Sequence, residues 1–166
     1  MSLHTREAVL NSAMEDLAHC QALSDYEAVN DLWVAFVKIA NLMPGKSEHN
    51  RMVALATKFP AERSRALLAG PTVETLLNLN PPLETILSSP HERLRTPEVR
   101  AAMQQIVQYR ETQPQKAIAA LGEVVKIIRN KREHGFKTRS GPRDMEILGA
   151  ARAILSSFCE LAVSVV

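Results

Sequence analysis

The sequence lacks the residues from which disulfide scaffolds and metal centres are built. Its 166 residues include only two cysteines, Cys20 and Cys159, and no two of its five histidines form a His-x-x-x-His pair. Zinc sites and secreted disulfide domains need more cysteines or histidines at close, regular spacing. We therefore expect a protein without a metal or other cofactor, in the reducing environment of the cytoplasm.

Long hydrophobic runs and a secretory leader are also missing. No uninterrupted apolar run approaches the roughly 20 residues that cross a bilayer, and nothing near Met1 resembles the apolar core of a signal peptide. We therefore expect no membrane partner. The six glycines form neither a Walker-type loop nor a Gly-x-Gly-x-x-Gly run, so those nucleotide-binding loops have no support.

The remaining composition is that of an ordinary globular protein, with 46% hydrophobic and 23% charged residues. Its length fits a single domain over residues 1–166. Aromatic residues amount to only 4%, so a surface of stacked aromatic rings for nucleic-acid bases has little support.

The first half of the chain reads as two helices followed by short helical pieces. Residues 5–22 carry apolar side chains at helical spacing, namely Leu10, Met14, Leu17 and Ala18. Ser24 and Glu27 have the spacing of a capping box at the start of a second helix, which ends before Pro44-Gly45. Prolines divide residues 47–90 into pieces of one to three turns.

Three further helices are predicted in the second half, at 96–112, at 114–134 and from Pro142 to the chain end, and each begins at or beside a proline. No segment reads convincingly as a strand. Long helices with one apolar face each are buried most economically in a bundle. The sequence therefore predicts an all-α fold, an antiparallel bundle of four to five helices with extra short helices in the middle.

The last predicted helix is more apolar than one buried stripe requires, and it ends Cys-Glu-Leu-Ala-Val-Ser-Val-Val. Two explanations are open at this point. The extra apolar surface either contacts the second subunit of a dimer or packs against the segment 47–90 of the same chain.

Positive charge is concentrated in one short segment. The net charge of the whole chain is +2, but residues 126–143 carry +6 and the remaining residues −4. Seven cations contribute to this basic segment: Lys126, Arg129, Lys131, Arg132, Lys137, Arg139 and Arg143. Such a segment is typical of a phosphate-binding surface, although cations at the end of a helix also stabilise the helix dipole.

The basic segment contains the motif Arg129-Asn130-Lys131-Arg132-Glu133-His134, followed by Gly135 and Lys137. An arginine, a polar residue directly after it and a histidine four to six residues further on, at a helix end before a final apolar helix, resemble the HEPN family. The resemblance is close over residues 115–163 and weak over Trp33–Asn41. The segment 47–95 has no evident counterpart in a minimal family member.

The resemblance implies a homodimer in which two copies of the motif line one composite site for RNA cleavage. The residues themselves allow this arrangement. Asn130 and His134 share a helix face, whereas Arg129 lies about 140° from His134 at roughly 100° per residue. Arg129 must swing round, the helix must unwind at Gly135, or a second copy must complete the site.

Arginine and histidine without a metal suit RNA, which carries its own 2′-hydroxyl nucleophile. We expect His134 to act as general base or acid, because imidazole titrates near neutrality. Arg129 would stabilise charge on the phosphate oxygens, and Asn130 would hold a phosphate oxygen or orient the histidine. Sequence-independent RNA binding is assigned to four cations: Lys126, Lys131, Arg132 and Lys137.

The resulting hypothesis is a metal-independent endoribonuclease of HEPN type, as a toxin with a protein antitoxin or in another RNA-targeting defence or stress role. The principal alternative is a non-catalytic HEPN module that binds RNA or another protein as a scaffold. A third alternative, a helical adaptor unrelated to the family, would place Arg129, Asn130 and His134 on separate surfaces.

Overall fold

A computed structural model of the chain describes residues 3–80, 82–87, 95–134 and 141–166. These described residues form nine helices and contain no strand. In chain order the helices are α1 Leu3–Cys20, α2 Asp25–Ala40, α3 Glu48–Ala56, α4 Ala61–Leu68, α5 Pro71–Leu77, α6 Leu83–Leu87, α7 Arg95–Tyr109, α8 Pro114–His134 and α9 Pro142–Val165. The prediction of an all-α bundle with short helices in the middle is therefore confirmed.

Local sequence signals account for most helix boundaries. The Ser24 side chain accepts a hydrogen bond from the Glu27 backbone N–H, and the Ser24 backbone N–H donates one to the Glu27 carboxylate, as in a capping box. Helices α8 and α9 begin at Pro114 and Pro142, as predicted. Helix α7 begins two residues before Pro97, because proline is tolerated throughout the first helical turn.

The centre of the core is an aromatic cluster around Phe158 of α9. Its ring centre lies 5.4 Å from that of Phe36 on α2 and 6.5 Å from that of Phe59, which follows α3. Trp33 extends the cluster at 6.1 Å from Phe36. Few aromatic residues are available in this chain, and packing these four together gives each a large buried apolar area.

Helices α2 and α9 form the central pair, and they run parallel. Arg152 of α9 contacts Asp25 at the start of α2, and Cys159 contacts the Leu32 carbonyl about two turns further along both helices. The contacts therefore advance in the same direction on the two helices. The predicted antiparallel arrangement does not hold for this pair, because the long intervening chain of α3 to α8 returns α9 to the same end as α2.

The wide apolar surface of α9 is covered by other helices of the same chain. Ten of its residues are buried, and α9 packs against α5 as well as against α2. Burial against the segment 47–90 is thus the explanation that the structure supports, and the C-terminal apolar surface no longer argues for a dimer.

Helix α9 is also the one helix among the described residues that is long and apolar enough to span a membrane, with a window of mean hydropathy 1.5. More than half of that window, 56%, is buried inside the fold. A single helix of this kind is equally typical of a protein core, so it is weak support for a membrane segment.

The apolar face of α1 differs from the predicted one. Ala13 and Cys20 are buried and Leu17 is partly buried, whereas Met14 is 54% exposed and Ala18 is exposed. Leu10 and Leu17 pack against the core as predicted, and the other buried positions of this face are Ala13 and Cys20 in place of Met14 and Ala18. The helix is polar enough on all sides that its pattern alone left this orientation undetermined.

Candidate functional site

The motif lies at the C-terminal end of α8, where Arg129 points towards α2. Its guanidinium donates two hydrogen bonds to the side-chain oxygen of Asn30, from Nε at 3.0 Å and from Nη2 at 2.8 Å. A third bond runs from Nη1 to the Asn130 side-chain oxygen at 3.1 Å. The arginine is partly buried, and these bonds fix the plane of its guanidinium.

Both amide oxygens are uncharged, and this has an electrostatic consequence. An arginine held by carboxylates loses most of its field to the partner charge, whereas an amide oxygen orients the guanidinium without cancelling its charge. The bonds that Arg129 donates to Asn30 and Asn130 therefore define the direction of its guanidinium, and these two acceptors bring no charge of their own.

Asn30 is a site residue that the sequence analysis did not identify. It lies on α2, 99 residues before Arg129, directly after the buried Ala28 and Val29. A sequence signal was present, since asparagine is a poor helix former and stands here in the interior of a helix, directly after two buried apolar residues. The pattern identified no partner for it, because the partner comes from a distant helix.

Asn130 makes a contact that was not predicted, and its two predicted roles stay predictions. Its side-chain oxygen accepts the Arg129 Nη1 bond, so it orients the arginine. The contact is possible because adjacent helical residues with long side chains meet when one of them folds back along the surface.

His134 is the last residue of α8, as predicted. Its side chain, that of Arg132, and all of Lys137 lie outside the described residues. Their predicted roles remain predictions.

Lys131 does not lie on the exposed basic surface that the sequence analysis expected. Only 7% of this residue is exposed. The physical reason is its register: Lys131 continues the buried row of Val124 and Ile127 at intervals of seven and four residues. A lysine in that position reaches the interior face of the bundle, so it is not an exposed phosphate contact in this arrangement.

Lys126 is described on the surface but is paired. Its ammonium lies 3.0 Å from the Glu48 carboxylate of α3, and both side chains are about one third exposed. The positive charge of the basic segment is therefore partly compensated by a residue far away in the sequence. Arg143, at the start of α9, likewise donates a hydrogen bond to the Asn80 carbonyl.

The two cysteines are core residues, as the sequence analysis favoured. Both are buried free thiols. Burial is the main factor that raises the pKa of Cys159, and burial together with the nearby charges of Asp31 and Asp16 raises the pKa of Cys20. A raised pKa keeps the thiol protonated, so neither side chain has the properties of a catalytic nucleophile.

A resident metal has no candidate ligand set in the described part of the chain, where no three His, Cys, Asp or Glu residues converge. Comparisons add no assignment, because no family model, curated protein or solved structure was found to match the chain.

Proposed function

We propose that this protein is a metal-independent endoribonuclease of the HEPN type, with the end of α8 as its active site. The observation that carries the proposal is the guanidinium of Arg129, which the neutral oxygens of Asn30 and Asn130 hold in place beside the helix end that His134 closes. Cleavage of RNA by its own 2′-hydroxyl requires an oriented positive charge for the phosphate oxygens and a group that moves protons, and the motif offers an arginine and a histidine for these roles.

In the proposed reaction the 2′-hydroxyl loses its proton to a general base and attacks the adjacent phosphorus. The P–O bond to the 5′ oxygen of the next nucleotide breaks, and that oxygen takes up a proton. The products are a 2′,3′-cyclic phosphate and a 5′-hydroxyl. His134 is the candidate acid or base, and Arg129 binds the two non-bridging oxygens on which charge accumulates.

The proposal includes a homodimer, since Arg129 and His134 diverge on one helix and two copies of the helix end can supply both groups to one cleft. A toxin of this type would act with a protein antitoxin that blocks the cleft. Sedimentation or light scattering at micromolar concentration tests the composite site. A strictly monomeric protein that still cleaves RNA would contradict it.

The test of activity uses purified protein in EDTA with a mixed RNA substrate and detection of cyclic-phosphate ends. His134→Ala should lower cleavage by about 10² to 10⁴, the usual contribution of a general acid or base. His19→Ala, at an exposed position on α1, is the matched control and should cleave like the wild type. Equal cleavage by His134→Ala and the wild type would overturn the assignment.

The pairing and burial of the described cations favour a second candidate function, that of a non-catalytic module that binds RNA or a protein. Lys126 is paired with Glu48, and Lys131 is buried, so fewer cations face solvent than a phosphate-binding surface ordinarily offers. Wild-type protein that cleaves no RNA, after any bound antitoxin is removed, while still binding RNA or a partner would support this candidate.

A further inference from the structure

A second concave surface lies on the opposite half of α8 from the motif. It is a groove over α8 with α3 on one side and α7 on the other, and its volume is about 770 Å³. Pockets for small molecules typically enclose about 300 to 1,000 Å³. The groove therefore has the size of a ligand site, and the proposed RNA chemistry does not use it.

The floor of the groove is made of small apolar side chains. Ala119, Ala120 and Ile127 of α8 lie along it, and Ala102 of α7 and Val53 of α3 form the lower walls. Alanine side chains are too short to fill the space between two helices that both pack on a third. The result is an open apolar surface on which a flat ring can rest.

One polar pair crosses the groove. The His49 ring of α3 meets the Glu123 carboxylate of α8, with 2.7 Å between Nδ1 and Oε1. An ionised carboxylate only accepts hydrogen bonds, so the proton of a neutral imidazole must be on Nδ1. Nε2 is then an acceptor, and the bond to Glu123 limits rotation of the ring that carries it.

The charges on the rim have both signs. Glu98 and Glu123 contribute negative charge, and Lys116 contributes positive charge, with its ammonium 3.8 Å from the centre of the Tyr109 ring. A rim of this kind favours neither an anion nor a cation. The side-chain amides of Gln105 and Gln113, which also line the groove, suit an uncharged ligand with polar edges.

We propose that this groove is a binding site for a small uncharged molecule that combines a flat apolar ring with one N–H or O–H donor, the donor bonding to Nε2 of His49. Glu123 acts as a positioning residue that holds the acceptor. The proposal does not depend on RNA cleavage, so the failure of either leaves the other standing.

Indole and benzofuran are the probes. They have nearly the same shape, but indole presents an N–H donor where benzofuran has an oxygen acceptor. At about pH 8.5, indole should bind about three- to tenfold more tightly, as expected for one net hydrogen bond. Titration of ¹⁵N-labelled protein gives both affinities and locates the shifted amides.

Two substitutions separate the ring site from the donor site. Ala101→Leu places extra bulk on an exposed alanine that lines the groove and should weaken both probes at least about tenfold. Ala8→Leu, on an exposed position of α1, is the matched control and should change neither affinity. His49→Phe keeps a ring but removes the nitrogen, so the preference for indole should fall to about one.

The binding experiments have outcomes that support the proposed site and outcomes that contradict it. Amide shifts centred on α3, α7 and α8, together with loss of indole preference in His49→Phe, support the proposal. Equal affinity of the wild type for the two probes, shifts elsewhere in the protein, or unchanged binding by Ala101→Leu would overturn it. All four proteins are compared by circular dichroism, and these sites are exposed or line an open groove, so folding is expected to be unaffected.

Discussion

Two arginines reach the same helix, α2, from two different neighbours, and the hydrogen-bond partners described for them differ in charge. Arg152 of α9 donates to the Asp25 carboxylate at 2.8 Å and to the backbone carbonyls of Leu23 and Cys20. Arg129 of α8 donates to the side-chain amide oxygens of Asn30 and Asn130. The first set contains a negative charge and the second does not.

The difference separates a structural arginine from a candidate catalytic one. Arg152 ties the end of α1 to the start of α2, because its charge is matched by Asp25 and it donates to the carbonyls of Cys20, the last residue of α1, and of Leu23. Arg129 is oriented equally well, but its two amide partners do not neutralise it. Residue type and helix position alone do not distinguish these roles.

The largest expected effect is on activity at Arg129. Arg129→Ala should lower the rate of RNA cleavage by about 10² to 10³, because a positioned donor to the developing charge is lost. Arg129→Lys should recover little, since an ammonium cannot bind two oxygens with the fixed fork of a guanidinium. Cyclic-phosphate formation in EDTA measures both, with Arg6→Ala on the exposed face of α1 as control.

The next effect concerns the charge of the partner at position 30. Asn30→Ala should lower kcat about tenfold with little change in KM, because Arg129 loses two hydrogen bonds and its orientation. Asn30→Asp keeps the shape and the acceptor but adds a negative charge, so kcat should fall at least as far.

The two variants distinguish positioning from a structural role through stability. If Asn30 served only to hold the two helices together, an aspartate at position 30 would do the same by forming an ion pair with Arg129. Asn30→Asp would then be as active as the wild type. Steady-state kinetics and urea denaturation of both variants decide between the outcomes. A fully active Asn30→Asp would remove the distinction drawn between the two arginines.

A smaller effect, on stability rather than activity, is expected at Arg152. Arg152→Ala should lower the free energy of unfolding by about 1 to 3 kcal/mol, because Asp25 and two carbonyls lose a charged donor. Cleavage per folded molecule should stay unchanged. Urea unfolding measures the free energy of unfolding. The cleavage rate, divided by the fraction of folded protein, measures the activity per folded molecule. A loss of cleavage larger than the loss of folded protein would show that Arg152 also serves the site.

The smallest effect tests the paired cation Lys126. Glu48→Gln removes its partner charge, so Lys126 becomes available to phosphate, and RNA affinity should fall more steeply with salt by up to about 0.7 in the log–log slope. Gel-shift or fluorescence titrations at several salt concentrations measure the slope. Glu62→Gln on α4 is the control, and an identical slope for wild type and Glu48→Gln would mean that Lys126 is remote from the RNA.

The helical signals in the sequence were strong where a proline or a capping residue sets a boundary. Pro114, Pro142 and the Ser24 capping box predicted the starts of α8, α9 and α2 because these signals act within one helical turn. The buried face of α1 was less well predicted, since its apolar pattern is weak and the packing against α2 decides which of its side chains are buried.

The site was predictable only in the part that lies on one helix. Arg129 and Asn130 stand where the motif placed them. The contribution of Asn30 and the compensation of Lys126 by Glu48 were not predictable, because both contacts join residues separated by 78 or more positions. The burial of Lys131 was predictable in principle from its spacing to Val124 and Ile127, but the high local charge favoured an exposed position.

By itself, the sequence determined that the chain is helical, where the long helices begin, and that arginine, asparagine and histidine share one helix end. These properties follow from short-range backbone preferences and from the period of apolar residues. The tertiary structure decided which cations are paired or buried, that α9 is covered by α2 and α5, and which partners surround each arginine. Those outcomes depend on contacts between distant segments, and the energy of a charge is set by what packs around it.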